Sequence, residues 1–439
     1  MSNTKIKFEE VPHYIQIETS YSCNALCVFC YNPKRNQPID LNKVREIVGR
    51  VAESNIPHVQ LTGGEISILP IAFINEIVDR LSKHSSVTIQ TNGILYMKDL
   101  TKNLAALYVS LHGTEKYHDD LQAVGEWKKI VENIKHYIND GFEVNLDFTL
   151  TAQNYSNFEE IAMMADSWGV TQYSLNKFQP AGYGAKNFND MVPSVAQFKD
   201  VISQIIRLQD KTNLKIGFCT AVPFCLDDRL SRYGLLASCG AGTYLAAISP
   251  DGEMRICNQS FTSYGNVLKK DLLEIWNSRK IDEFRDKSWV TKPCTTCELF
   301  DQCLGGCKVD NTSKSRYCVD YAIRDLEKCP IKISEFKKQV QEFSSSQIKA
   351  LQDIGLPTEG VITANPFTKL ITSHKTNLLI TKHQTIKLDQ KASILIEKIL
   401  VNKMLVADLL SYSKKHSLDV KSTKDLLRKL LFADAIRIK

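Results

Sequence analysis

Tyr21-Ser22-Cys23-Asn24-Ala25-Leu26-Cys27-Val28-Phe29-Cys30-Tyr31 sets three cysteines in a CxxxCxxC array just after the extended apolar run His13 to Glu18. Thiolates are soft ligands that select zinc, copper(I) or iron-sulfur clusters. Three of them on one short loop can hold three corners of an iron-sulfur cube and leave the fourth iron open. A zinc knuckle that borrows a distant ligand, or three buried free cysteines, remain alternatives at this point.

Outward from this loop the chain alternates short apolar strands with amphipathic helices. The pattern predicts strands at His13–Thr19, His58–Thr62, Val87–Thr91, Leu107–Leu111, Val144–Leu150 and Gln172–Phe178. It predicts helices at Leu41–Ala52, Ile71–Lys83, Trp127–Asn139, Asn157–Trp168 and Val195–Gln209. Such alternation implies right-handed crossovers and a parallel α/β sheet, open or curled into part of a barrel. Ligands of such sheets sit at the C-terminal strand ends, where the candidate motifs fall. After the second strand, Gly63 and Gly64 allow close backbone approach to a ligand and Glu65 can accept bonds from an ammonium group. Asn92, Ser110, His112, Asp147, Thr151, Asn154 and the stretch Gln179-Pro180-Ala181-Gly182 close later strands.

A second cysteine region reads Cys239, Gly252, Cys257, then Cys294, Cys297, Cys303 and Cys307, with Cys318 and Cys329 beyond. Pairs two residues apart suit a loop wrapped around a cluster, whereas a zinc ribbon stops at four ligands. Cys219 and Cys225, just upstream, are read as buried or free thiols.

The first array, with Phe29 before its third cysteine, resembles the signature of the radical S-adenosylmethionine (SAM) enzymes. The resemblance implies a 4Fe-4S cluster on Cys23, Cys27 and Cys30 whose open iron chelates SAM. Phe29 would lie near the adenine, Gly63, Gly64 and Glu65 near the methionine amino group, and Asn92, Ser110 and Asn154 among the remaining SAM contacts. His112 stands where the family commonly has Asp, which leaves its role as a SAM contact open. The second region resembles the SPASM domain, the auxiliary-cluster extension of radical SAM enzymes that modify peptides and proteins. It implies two further iron-sulfur clusters of the 4Fe-4S kind. Cys294, Cys297 and Cys303 with Cys329 would hold the outer one and Cys239, Cys257 and Cys307 the inner, with Cys318 spare or a fourth inner ligand.

Ile331 to Gly360 reads as a polar, helix-like linker interrupted by Ser344, Ser345 and Ser346. Beyond it, a hairpin at Leu378–Ile380 and Thr385–Leu388, helices at Ala392–Leu400, Leu405–Lys415 and Thr423–Phe432, and a strand at Ala435–Ile438 suggest a winged helix. In this company it resembles the PqqD-like element that recognises a leader peptide by strand addition in ribosomal-peptide maturases. Residues 361–439 hold fifteen Lys or Arg against six Asp or Glu, a net +9 that leaves −3 for the rest of the chain. That charge suits phosphates too, so a DNA-binding winged helix is the rival.

At 439 residues with 43% apolar and 24% charged content, the chain has room for two or three cored domains. Thirteen cysteines without a signal-like N-terminus or a membrane-length apolar run point to metal ligation in the cytoplasm rather than a disulfide framework. The expected organisation is a partial (β/α)6 TIM-type barrel over residues 1–215, a SPASM-like domain over 216–335, a linker over 336–360 and a small winged-helix α+β domain over 361–439. The resemblance implies a cytoplasmic maturase of ribosomally made peptides. A 5′-deoxyadenosyl radical would take hydrogen from a precursor peptide carrying a leader sequence, to form a carbon-carbon or thioether crosslink. An electron donor such as flavodoxin or ferredoxin is the implied partner, with neither membrane nor nucleic acid expected. Alternatives are sulfatase-type formylglycine formation, tetrapyrrole modification, peptide epimerisation, or a zinc- and nucleic-acid-binding regulator.

Overall fold

Alternation of apolar and polar residues in seven strands sets the architecture: β1 (Tyr14–Glu18), β2 (His58–Thr62), β3 (Ser86–Thr91), β4 (Ala106–Ser110), β5 (Val144–Leu150), β6 (Gln172–Lys177) and β7 (Lys215–Phe218). The computed structural model describes residues 6–32, 34–308, 319–353, 356–357, 359–372, 377–401, 404–415 and 419–438. The expected Cys318 ligand lies outside them.

β1 to β7 lie in chain order in one sheet. Parallel pairing runs from Gln16 opposite Gln60 to Ser110 opposite Asp147 and Asp147 opposite Ser174. A sheet wound in one direction keeps its crossover helices on one side. Those helices are α1 (Leu41–Glu53), α2 (Ile71–Leu81), α3 (Glu115–Gln122), α4 (Trp127–Asn139), α5 (Phe158–Trp168) and α6 (Val195–Gln209). Asp40 caps α1 by accepting from Lys43 N, and Ser194 with Gln197 forms a capping box on α6, each cap contributing about 1 kcal/mol. Ile15, Ile17, Val59, Leu61, Ile89, Val109, Leu146 and Leu175 join residues of these helices in one core.

The other face is polar, unlike a parallel sheet covered by helices on both sides. It carries Tyr14, Gln16, Gln60, Gln90, Tyr108, Ser110, Asn145, Asp147 and Ser174, in register with one another. Burial raises the Tyr14 hydroxyl on β1, and the charges of Tyr108 on β4 and Asp147 on β5 add to it. In a flat sheet β1 and β5 would stand about 19 Å apart, so this face is concave, the interior of a partial barrel. β8 (Leu245–Ile248) pairs in parallel with β1 on its free side, and β9 (Glu253–Arg255) and β10 (Gly265–Asn266) continue antiparallel. The start of the second cysteine region thus extends the same sheet.

The chain divides into two compact units, residues 1–81 with 87–340 and residues 82–86 with 341–439. Where the sequence suggested a linker broken at its serines, α7 (Ile333–Asp353) runs unbroken. Ser345 and Ser346 Oγ donate to Gln341 O and Phe343 O, back-bonding that lets serine sit inside a helix. In the second unit the expected hairpin is a three-stranded antiparallel sheet of β12 (Lys369–Thr372), β13 (Asn377–Ile380) and β14 (Thr385–Leu388). β11 (Val361–Ala364) pairs between β15 (Met404–Leu405) and β16 (Ile436–Ile438) in a second small sheet. Helices α8 (Gln390–Val401), α9 (Val406–Lys415) and α10 (Val420–Phe432) pack with it through Leu395, Leu409, Leu427 and Ile362. No described helix is long and apolar enough to cross a membrane.

Candidate active site

The cysteine loop leaves β1 held by backbone bonds on both flanks. Gly64 N donates to Ser20 O at 2.7 Å and Glu65 N to Ser22 O at 2.8 Å, while Leu26 N and Val28 N donate to Gln122 O and Leu121 O at the end of α3. A Cβ on Gly63 or Gly64 would overlap the carbonyl oxygens of Ser20 or Ser22. Both glycines are therefore required by the approach of the cysteine loop itself, a reason the sequence reading gave to a ligand. Burial pushes the Cys23 thiol up to about 11, with Glu65 and Cys30 adding to it, and raises Cys27 through burial and the charges of Cys30 and Cys23. Cys23 and Cys27, each raised in part by Cys30, need a cationic centre to ionise beside it. Among the described residues no three His, Cys, Asp or Glu side chains are close enough to hold a single metal ion, whereas a four-iron cube spreads its thiolates over separate corners.

Glu65 is buried and accepts from Ser67 N at 2.9 Å, Thr91 Oγ1 at 2.6 Å and Asn92 N at 2.6 Å. Burial raises its carboxyl and these donors pull it partly back. It ties the turn after β2 to the end of β3. Asn92 Nδ2 in turn donates to Asn24 Oδ1 at 2.7 Å and to Cys23 Sγ at 3.8 Å. Phe29 meets His112 edge-on with ring centroids 4.7 Å apart. His112 Nδ1 accepts from Thr149 N at 3.0 Å and its ring stacks on His118; burial holds it neutral. Asn154, expected among the cofactor contacts, spends its whole amide on protein: Oδ1 accepts from Thr151 N and Oγ1, and Nδ2 donates to His112 O and Thr149 O. It fastens the ends of β4 and β5. Gln179 is the reverse case, 5% exposed with no hydrogen-bond partner for either amide atom among the described residues, the state of a side chain awaiting a ligand.

Within the concave face Ser110 Oγ accepts from Gln90 Nε2 at 3.2 Å. Burial lifts the Asp147 carboxyl to about 7, against a hydrogen bond from Gln90 that lowers it. Cys219, just past β7, is exposed, and its Sγ donates to Asn176 Oδ1 at 2.9 Å. The sequence offered no periodic signal for Cys219, because its neighbours come from other strands.

Tyr31 is a second residue the sequence did not single out. Its hydroxyl donates to Glu18 Oε1 at 3.0 Å, and Glu18 forms a buried ion pair with Arg255. Cys30 and Cys257 both raise its pKa after burial, so it lies between the two cysteine regions. In the second region Cys257 is pushed up to about 11, chiefly by burial and in part by Cys239. Cys307 N donates to Asp320 Oδ2 at 2.9 Å, and Asp320 is paired with buried Lys177. Lys308 is fully buried with no hydrogen-bond partner for Nζ among the described residues, a cation that thiolates of a cluster would compensate. Cys294, Cys297, Cys303 and Cys329 line one cavity, and Cys225 lines it with them.

Residues 17–165 match the family model of the radical SAM superfamily, and residues 239–298 match that of SPASM, an iron-sulfur cluster-binding domain. The chain carries a radical SAM domain followed by a SPASM domain and is an enzyme of that class. Among particular relatives, mycofactocin maturase MftC of Mycobacterium tuberculosis is 25% identical over 317 residues, covering 68% of this chain and 78% of the relative. PqqA peptide cyclase of Gluconobacter oxydans is 23% identical over 314 residues, with 68% and 86% covered. The crystal structure of Streptococcus suis SuiB bound to precursor peptide SuiA superposes with a TM-score of 0.56 at 19% identity, over 74% of this chain and 77% of that one. At that identity the likeness speaks for the fold.

Proposed function

We propose that this chain is a radical SAM maturase of a ribosomally made precursor peptide. The observation that carries the reading is the concave polar face of β1–β6, which ends at the loop of Cys23, Cys27 and Cys30; the similarity to two peptide maturases supports the substrate class. Cys23, Cys27 and Cys30 would hold a 4Fe-4S cluster, which together with SAM would supply the radical chemistry that removes hydrogen from an unactivated carbon.

The chain's own residues position and protect that chemistry. Gly63 and Gly64 let the turn lie against the cysteine loop, and Glu65 fixes Asn92 beneath Cys23. Phe29 and neutral His112 form a wall that keeps water from the radical. Ser110 and Gln179 offer polar atoms to SAM, and Asn154 serves by fastening the ends of β4 and β5. Asp147, poised near neutrality, takes the proton that the peptide sheds on oxidation. Cys239, Cys257 and Cys307 would hold an inner auxiliary 4Fe-4S cluster, and Cys294, Cys297 and Cys303 with Cys329 an outer one, which would give an electron a way out of the site. A one-electron donor such as flavodoxin or ferredoxin is the second partner. None of the twelve described cysteines is paired in a disulfide, and thiolate ligation suits the reducing cytoplasm. The basic unit of residues 361–439 takes an acidic leader peptide along an edge of the β12–β13–β14 sheet.

The test is anaerobic incubation of the reconstituted protein with SAM and a short peptide encoded beside it, read by mass spectrometry. Loss of two hydrogens is expected for a crosslink. An unmodified peptide together with two or three zincs and no visible absorbance in the protein would overturn the reading.

A further inference from the structure

The outer cavity holds one thiol more than a cube has corners. Cys225 stands on the turn Phe224–Leu226, 69 residues before Cys294 in the chain. It faces the same cavity as Cys294, Cys297, Cys303 and Cys329. Its turn is built into the site: Phe224 N donates to Cys303 Sγ at 3.3 Å, and the Phe224 ring stacks on Phe336 of α7 at 5.7 Å. Cys225 packs in one apolar cluster with Cys294. Cys329 is in contact with Cys297 and is also a near neighbour of Cys225. The donor set is all sulfur, the walls are apolar and a backbone N–H already points at one sulfur, the surroundings that suit a thiolate-bound cluster.

We propose that Cys225 is a ligand-competent thiol of the outer auxiliary cluster and shares its fourth corner with Cys329. This rests on the presence of that cluster. Cys294, Cys297 and Cys303 are grouped within ten residues of chain and hold three corners. The fourth is closed from either side, by the turn before the SPASM motif or by the segment after it. The site therefore stays saturated with protein thiolates when one of the two lets go. That keeps the outer cluster from opening to SAM or peptide and confines it to electron transfer.

The experiment compares the full-length wild type with Cys225→Ser, Cys329→Ser and the double variant, reconstituted anaerobically and assayed for iron and by EPR of the reduced protein. About twelve irons per chain are expected in the wild type. Both single variants are expected to keep that number, while the double variant loses about four irons and one EPR component. Loss of about four irons from Cys329→Ser alone, with native circular dichroism, would overturn the proposal, as would a double variant that keeps them. Thiol labelling gives an independent reading. In folded Cys329→Ser, Cys225 is expected to resist iodoacetamide until a chelator strips the iron, and equal labelling before and after would count against the proposal. Should that variant fail to fold, the wild-type holoenzyme answers: label divided between Cys225 and Cys329 supports a shared corner, and label confined to Cys225 refutes it. Zinc in place of iron in the wild type would instead overturn the maturase reading itself.

Discussion

The loop after β1 offers three thiols and the cavity around Cys294 offers five, and the two are built by different means. In the loop, all three come from eight consecutive residues, fixed by backbone bonds to the turn after β2 and to the end of α3. In the cavity, thiols from three separated segments converge on apolar walls. A deficit of ligands leaves an iron open for a reacting molecule, and a surplus closes the cluster against one. Between these two sites, the count of sulfurs within reach separates an open iron from a closed cluster.

The largest expected effect breaks that comparison directly. Cys27→Ala leaves two thiols on the loop, and SAM cleavage should fall to background, beyond the roughly 10–100-fold that loss of an outer-shell partner costs. Reductive SAM cleavage measured by chromatography checks this, and retained cleavage would mean that the loop is not the radical site. Cys329→Ser, one thiol fewer in the other place, should leave the iron in position.

Next in size is Asp147. Its folded pKa of about 7 exceeds the ordinary value near 3.8, so the stability this carboxyl contributes is present at low pH and fades as pH rises through about 7. The deprotonated form is the base, so the rate of peptide modification should climb through pH 7 and level off above it. Asp147→Asn should lower that rate by about 10²–10⁴ and abolish the step in the pH profile, as read by mass spectrometry of timed samples. A profile with the step intact would assign the titration to another group.

Asn92→Ala sharpens the account of the open site. The amide donates to Cys23 Sγ and Asn24 Oδ1, a bond to a ligand rather than a ligand. Its loss should speed iron release from the reconstituted protein by about tenfold, within the range of outer-shell effects. Absorbance decay under chelator measures this, and an unchanged rate would reduce Asn92 to a turn residue.

Much of this frame is legible locally and the remainder is not, for physical reasons. β2, β5, α4 and α6 begin and end where apolar periodicity and caps predict, because those signals act within a few residues. β11, β12 and β15 escape a sequence reading: they are two to four residues long and exist only through pairing with distant strands. The same distinction governs the site. The array of Cys23, Cys27 and Cys30 is visible because one loop holds it. Cys225 has only Cys219 near it in the chain, which does not line its cavity, and its partners lie 69 to 104 residues further on. Gly64 reads as a ligand turn until Ser22 O is seen against it, since a backbone approach leaves no trace in spacing.

The smallest effect concerns the second unit, which carries none of the cysteines. If the open loop cleaves SAM on its own and the basic unit only brings the peptide, deleting residues 361–439 should raise the Kd for the peptide about tenfold, or 1.4 kcal/mol, and leave SAM cleavage without peptide in place. Fluorescence anisotropy of a labelled leader checks the first part. Because residues 361–439 carry +9, the affinity of the intact chain for an acidic leader should also weaken as salt rises and shortens the Debye length from about 10 Å at 0.1 M to about 3 Å at 1 M, whereas the truncated chain should show a flatter dependence. A salt slope that survives truncation would move the leader's binding site onto the radical SAM unit. Loss of SAM cleavage on truncation would show that the two units are coupled in folding, and the contrast between an open and a closed cluster would then have to be tested in the full chain alone.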